Sequence, residues 1–215
     1  MSYSQALEIQ LQIASERKTG EGVDTLLLVE HPHVVTIGRN GHQENVLASA
    51  IMLERAGIEL YESDRGGDVT YHGPGQIVGY PIMDLRAWKR DVGAFVRGIE
   101  QVLIDTLADF GIRARRIGGM TGVWTGDEGA EAKIAAIGVH LSRWVSTHGW
   151  ALNVSTDLKY FQYIVPCGLT KPVTSMHALG VLADAEDVKE TLVRNFGRIF
   201  NFELQAEPAL AGRIA

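Results

Sequence analysis

Cys167 is the only cysteine among 215 residues, so its thiol has no partner for an internal disulfide. A cysteine is most often a small buried hydrophobe. This one stands in Ile164-Val165-Pro166-Cys167-Gly168-Leu169, between a proline that fixes the chain direction and a glycine that leaves room beside the sulfur. That setting predicts a shaped, exposed turn whose thiol is available as a nucleophile. Two other stretches carry more glycine, histidine and basic side chains than packing requires. In Arg65-Gly66-Gly67-Asp68-Val69-Thr70-Tyr71-His72-Gly73-Pro74-Gly75-Gln76 the glycines permit close approach of backbone to a ligand, which predicts a ligand-cradling loop. The plainer reading is a Gly-Pro turn between strands. The spacing is neither a P-loop nor a dinucleotide fingerprint, so phosphate binding does not follow.

In Lys133-Ile134-Ala135-Ala136-Ile137-Gly138 a lysine opens a small-residue run that reads as buried. A buried ammonium is expensive unless it is paired or loses its proton, which makes Lys133 a candidate acid/base group. A strand-end lysine reaching solvent is the alternative. His148-Gly149-Trp150-Ala151 adds a histidine, read as a satisfied structural residue rather than a catalyst. His31, His33, His72, His140, His148 and His177 form no HExxH or other compact pattern, so no metal is expected.

The elements that must position these residues follow from periodicity. Residues 4–18 read as a helix with Leu7, Leu11 and Ala14 inward and Gly20 beyond its end. Residues 26–30 and 34–38 read as strands joined by a short turn at His31-Pro32-His33. A short helix over 47–56 and strands at 58–62 and 76–83 follow. The clearest helix runs from about 91 to 110, capped by Asp91 and stopped by Gly111, with Phe95, Ile99, Val102, Leu103 and Leu107 at helical spacing. Strands near 112–116 and 121–125 precede a polar loop at 125–131. Residues 132–144 and 147–154 read as an adjacent strand pair, and a last helix spans about 186–200. Strands and helices mix without βα alternation, which predicts an α+β fold of mixed β-sheets packed with helices.

No repeat, low-complexity tract or long linker divides the chain, so residues 1–215 are expected to form one catalytic domain. Apolar residues at 46% and charged residues at 21% are ordinary for a soluble globular protein. No apolar run approaches a membrane span, no secretory signal is visible, and a lone cysteine fits a reducing compartment, so a cytoplasmic location is expected. A net charge of −6 argues against nucleic acid or an anionic membrane as partner. Arg113, Arg115, Arg116 and Arg143 are the basic residues nominated to meet an acidic partner.

The segments RGGDVTYHGPGQ, KIAAIGVHLSRWVSTHGWALNV and IVPCGL, with LLLVEHPHVVTIGR and RRIGGMTGVW, resemble those of the lipoyl(octanoyl) transferases. The resemblance covers roughly residues 26–177 in order. Its departures are His140, where many members carry arginine, and Leu169, where isoleucine is common. It implies the fold of the biotin and lipoate protein ligases. It implies that an octanoyl group passes from octanoyl-acyl carrier protein to a lysine ε-amine of a lipoyl domain, in the 2-oxoacid dehydrogenase complexes or the glycine cleavage H protein. It assigns the thioester-forming cysteine to Cys167 and its assisting lysine to Lys133. Its substrate-contact segments fall on Arg65, Gly66, Gly67, Asp68, Val69, Thr70, Tyr71 and His72, on Ala136, Ile137 and Gly138, and on Gly149, Trp150 and Ala151. No cofactor is implied, because the thioester donor already carries an activated acyl group.

A free thiol, with a pKa of about 8.5, is only a few per cent thiolate at neutral pH. A nearby ammonium lowering it by roughly two pH units, about 2.7 kcal/mol, would make thiolate the major form. The competing readings are an ATP-dependent lipoate or biotin ligase on the same fold, a non-catalytic module that binds carrier protein, and a hydrolase that releases free acid.

Overall fold

The computed structural model describes residues 1–165 and 171–206. Helix α1 (Tyr3–Thr19) begins in a capping box, with Ser2 Oγ accepting from the Gln5 N–H and the Gln5 side chain accepting from the Ser2 N–H. Gly20 ends it in the left-handed conformation. The inward face is Tyr3, Ala6, Ile9, Gln10 and Ala14; of the expected Leu7, Leu11 and Ala14 only Ala14 is buried, and Leu11 is half exposed. The small alanines let α1 lie close against the sheet, and Gln10 Oε1 accepts the His148 N–H at 2.7 Å.

Six strands form a wholly antiparallel sheet: β1 (Thr25–Val29), β5 (Gln76–Ile82), β9 (Val145–Asn153), β8 (Ala132–Ser142), β7 (Met120–Thr125) and β6 (Arg115–Ile117), in that order. A second, mixed sheet has the order β3 (Glu59–Glu62), β2 (Val34–Ile37), β4 (Val69–His72), with β2 parallel to β3 and antiparallel to β4. The short helix α2 (Ala50–Arg55) packs beside β3, and α3 (Leu85–Trp88) follows β5.

The strands expected on either side of His31-Pro32-His33 are β1 and β2, and the short turn carries the chain from the large sheet to the small one. One expectation is corrected by this topology. The stretch 65–76 is only partly a loop. Val69–His72 is a strand paired with β2, and Gly73-Pro74-Gly75 carries the chain back to the large sheet. Glycine, arginine and histidine hide this strand from composition, because one of its faces lines a cavity instead of a greasy core.

Helices α4 (Val92–Asp109) and α5 (Ala185–Phe200) cover one face of the large sheet. Asp91 caps α4 through the Ala94 N–H at 2.9 Å. Phe95, Ile99, Val102, Leu103 and Leu107 from α4 meet Val188, Leu192, Phe196 and Phe200 from α5 over Ile77, Ile134, Trp150 and Leu152. On the opposite face, Val78, Tyr80, Ile82 and Ala151 pack against Ala6 and Ala14 of α1. The small sheet has its own core, in which Val35, Val69 and Tyr71 pack with Leu53, Ile58 and Phe161. Every position of β5 and β9 is buried, as strands covered on both faces must be.

Candidate active site

A narrow cavity lies on the α1 side of the large sheet, where β4 faces β5, β8 and β9. From the glycine-rich stretch it is lined by Arg65, Gly67, Asp68, Thr70 and His72. From β8 come Ala136, Ile137 and Gly138, and from β9 Gly149, Trp150 and Ala151. Gly66, Val69 and Tyr71 are not in the lining. Alternation along β4 explains the last two, since Val69 and Tyr71 point into the small sheet's core while Thr70 and His72 face the cavity. Gly66 lies alongside β8, donating its N–H to the Val139 carbonyl at 3.0 Å. A Cβ at Gly138 would fall 2.5 Å from the Gly66 carbonyl oxygen, so only glycine admits this approach. The Trp150 indole packs against Phe196, ring centroids 6.1 Å apart, and over Gly79 on the helix-covered face.

Arg65 is buried and ties the glycine-rich stretch together. Its guanidinium donates to the Thr36 hydroxyl and carbonyl and to the Gly66 and Asp68 carbonyls, at 2.7–3.0 Å. Asp68 accepts from the His42 N–H and the Asn45 amide.

The lining also includes Tyr3, Val78, Tyr80 and His148, which sequence reasoning did not assign to the site. Tyr3 and Tyr80 carry no local signal, since each reaches the cavity only through the packing of distant segments. His148 is satisfied, as the sequence suggested: its Nε2 meets Asp64 Oδ1 at 2.7 Å. It adopts φ 58°, uncommon for a residue with a Cβ, beside Gly149. Burial pushes His148 below the usual histidine range. His31, behind the wall, bonds Tyr80 Oη at 2.7 Å, and burial lowers its pKa to about 4. Burial likewise lowers His72 to about 3, and the nearby His31 adds to the effect. Desolvation raises Tyr3 and Tyr80. These rings are therefore uncharged at neutral pH, and the charged side chains of the lining are Arg65, held by hydroxyl and carbonyl oxygens, and Asp68, held by the His42 N–H and the Asn45 amide.

A second, smaller cavity shares Thr70, Ala136 and Ala151 with the first and adds Lys133, Gln76, Asn153, Phe161 and Val173. Lys133 is 6% exposed, so the solvent-reaching alternative fails. Its ammonium lies 4.7 Å from the centroid of the Trp124 ring, a cation–π contact, and among the described residues no carboxylate pairs with it. Glu131, two residues earlier, is instead taken by Lys171 at 2.8 Å, and that bond holds the Glu131 carboxyl at about 2. The Lys133 backbone is clasped by the chain returning from the cysteine segment. Its N–H donates to the Pro172 carbonyl and its carbonyl accepts from the Thr174 N–H, both at 2.9 Å. On the other side of that segment, the Val165 N–H donates to the Asn45 carbonyl at 2.7 Å. Cys167 itself lies outside the described residues.

Among the described residues, no group of three or more His, Cys, Asp or Glu side chains could hold a metal ion. No helix among them is long and apolar enough to cross a membrane. Of the arginines nominated for an acidic partner, Arg115 bonds Glu131 and Arg116 bonds Glu100, so much of their charge is spent internally.

The fold and the walled cavity define a class. The family model of the lipoyl protein ligase A/B catalytic domain matches residues 2–197. A bipartite lipoate protein ligase from Thermoplasma acidophilum superposes with a TM-score of 0.71 at 18% identity, over 93% of this chain and 82% of that one. A biotin protein ligase from Aquifex aeolicus shares the fold more distantly, with a TM-score of 0.51 at 12% identity over 78% and 70% of the two chains. Within that class the sequence is more particular. It is 66% identical to an octanoyltransferase of Solibacter usitatus over 98% of this chain and 94% of the relative. The chain belongs to the octanoyltransferase family, whose members are acyltransferases.

Proposed function

We propose that the protein moves an octanoyl group from octanoyl-acyl carrier protein to a lysine ε-amine of lipoyl domains, through a thioester on Cys167 assisted by Lys133. The observation that carries this reading is the buried Lys133 side chain, without a carboxylate partner among the described residues, lining a cavity that shares Thr70, Ala136 and Ala151 with the one beside it. The backbone of residues 172–174, a few positions beyond Cys167 in the sequence, bonds Lys133, and in this reading an ammonium beside Cys167 would favour thiolate over thiol. The thiolate attacks the donor carbonyl, a new C–S bond forms, the carrier's C–S bond breaks, and the carrier's sulfur leaves as the thiol with the proton of the Lys133 ammonium, which becomes the neutral amine. The acceptor amine then attacks the Cys167 thioester, the C–S bond breaks, and an amide forms. Lys133, as the neutral amine, takes the proton that the acceptor nitrogen must lose.

The cavity beyond Thr70, Ala136 and Ala151 accepts the hydrocarbon chain. An octanoyl chain has about six internal methylenes, and burying each is worth ~0.8 kcal/mol, so the cavity supplies roughly 5 kcal/mol. The acceptors of this reading are the lipoyl domains of 2-oxoacid dehydrogenase complexes and the glycine cleavage H protein, and its setting is the cytoplasm. Residues 1–215 act as one catalytic domain.

The test is amide formation on a purified lipoyl domain from octanoyl-carrier protein without nucleotide. Octanoyl transfer in that mixture supports the reading. Transfer only from free octanoate with ATP would replace it with a ligase, and release of free octanoate without amide would replace it with a hydrolase.

A further inference from the structure

Gln76 and Asn153 are two amides at the ends of β5 and β9, directly opposite each other in the register. Both are buried. Burying an amide is costly unless its hydrogen bonds are replaced, so a pair placed here needs an account. The bonds run in one direction. Gln76 Nε2 donates to Asn153 Oδ1 at 2.9 Å and to the Tyr71 carbonyl at 3.2 Å. Gln76 Oε1 is thereby free to accept from His72 Nδ1 at 2.8 Å, which fixes the neutral tautomer of that ring. With its oxygen occupied by Gln76, Asn153 must point its Nδ2 the other way, and it donates to the Thr174 carbonyl at 2.9 Å. The Asn153 carbonyl also accepts the Met176 N–H at 3.1 Å. Thr174 in turn donates its N–H to the Lys133 carbonyl.

We infer that Asn153, oriented by Gln76, is a positioning residue that sets the register of the Pro172–Met176 segment against Lys133. The segment bridges β8 and β9: Lys133 clasps it from one strand and Asn153 from the other. Lys133 and Asn153 face the same small cavity, so a shift of this segment moves the wall opposite the ammonium. A fully satisfied buried polar network specifies one geometry where apolar packing would tolerate several. The inference rests on the proposal that Lys133 assists acylation of Cys167.

The experiment measures single-turnover acylation by octanoyl-carrier protein across pH, using the parent, Cys167→Ser, Asn153→Ala and the isosteric Asn153→Asp. Asn153→Asp keeps the size and the acceptor but loses the donor to Thr174, so it serves if Asn153→Ala does not fold. We expect the acylation rate constant to fall about 10- to 100-fold, with full burst amplitude and a displaced pH midpoint. A merely structural role lowers the amplitude and leaves the rate constant and midpoint alone, and that result overturns the inference. Rates within about twofold of the parent in a folded variant overturn it as well. An adduct on the parent that is lost in Cys167→Ser shows that the failure belongs to Asn153 alone. No adduct on the parent overturns the thioester reading and this inference with it.

Discussion

Acid should destabilise this protein well above the pH at which carboxylates titrate, because its buried histidines must stay neutral. His31 is 1% exposed and its pKa falls from 6.5 to about 4 through burial. Unfolded, the same ring takes up its proton near 6.5. Between these values the unfolded chain binds more protons, so stability is complete above about pH 6.5 and declines as pH falls toward 4. At ~1.4 kcal/mol per pH unit, His31 alone costs about 2 kcal/mol by pH 5 and roughly 3 kcal/mol once it is protonated in both states. His72, lowered to about 3, acts in the same direction, and its loss continues to lower pH. The two rings sit 5.8 Å apart and His31 contributes to the lowering of His72, so their costs do not simply add. Urea unfolding at intervals from pH 7.5 to 4.5 reads the effect directly. The free energy should drop by several kcal/mol over that range, and His31→Gln should show a shallower slope. A flat profile between pH 7.5 and 5, or an unchanged slope in His31→Gln, would refute the reasoning.

Three further outcomes follow from contacts described above. Gly138→Ala places a methyl 2.5 Å from the Gly66 carbonyl, so it should cost about 1–3 kcal/mol in thermal or urea unfolding. It should also raise KM for the octanoyl donor, because the 65–68 stretch must move off β8. Trp124→Leu removes the aromatic face under the Lys133 ammonium and should slow acylation more than Trp124→Phe, which keeps a ring; equal rates would remove the cation–π contact from the account. Lys133→Ala should slow both acylation and transfer to the acceptor, and a normal rate in either half-reaction would confine the lysine to the other.

Much of the frame was legible because it obeys simple periods. Helix α4 shows its apolar stripe and both end signals, and the β8–β9 pair shows its length and turn. Strand β4 was not legible, because its cavity-facing residues are Thr70 and His72 and its approach is glycine and arginine. The inward face of α1 was misread because close packing on a sheet favours alanine over leucine. Within the site, the stretch from Arg65 was visible as a concentration of glycine and the stretches from Ala136 and Gly149 came from the family resemblance, and residues of all three line one cavity. Lys133 was visible as a charge opening an apolar run. Tyr3, Tyr80 and Val78 were invisible, since nothing local says which buried ring or valine borders a cavity. Gln76 and Asn153 did leave a trace, as single amides terminating the apolar runs of β5 and β9.

The central claim is an octanoyl thioester on Cys167. Intact-mass spectrometry after mixing the protein with octanoyl-carrier protein tests it most directly. The account predicts one octanoyl adduct, released by hydroxylamine, absent from Cys167→Ser and Cys167→Ala, and consumed when a lipoyl domain is added. An adduct that persists in both cysteine variants, or amide formed at the normal rate by them, would contradict it.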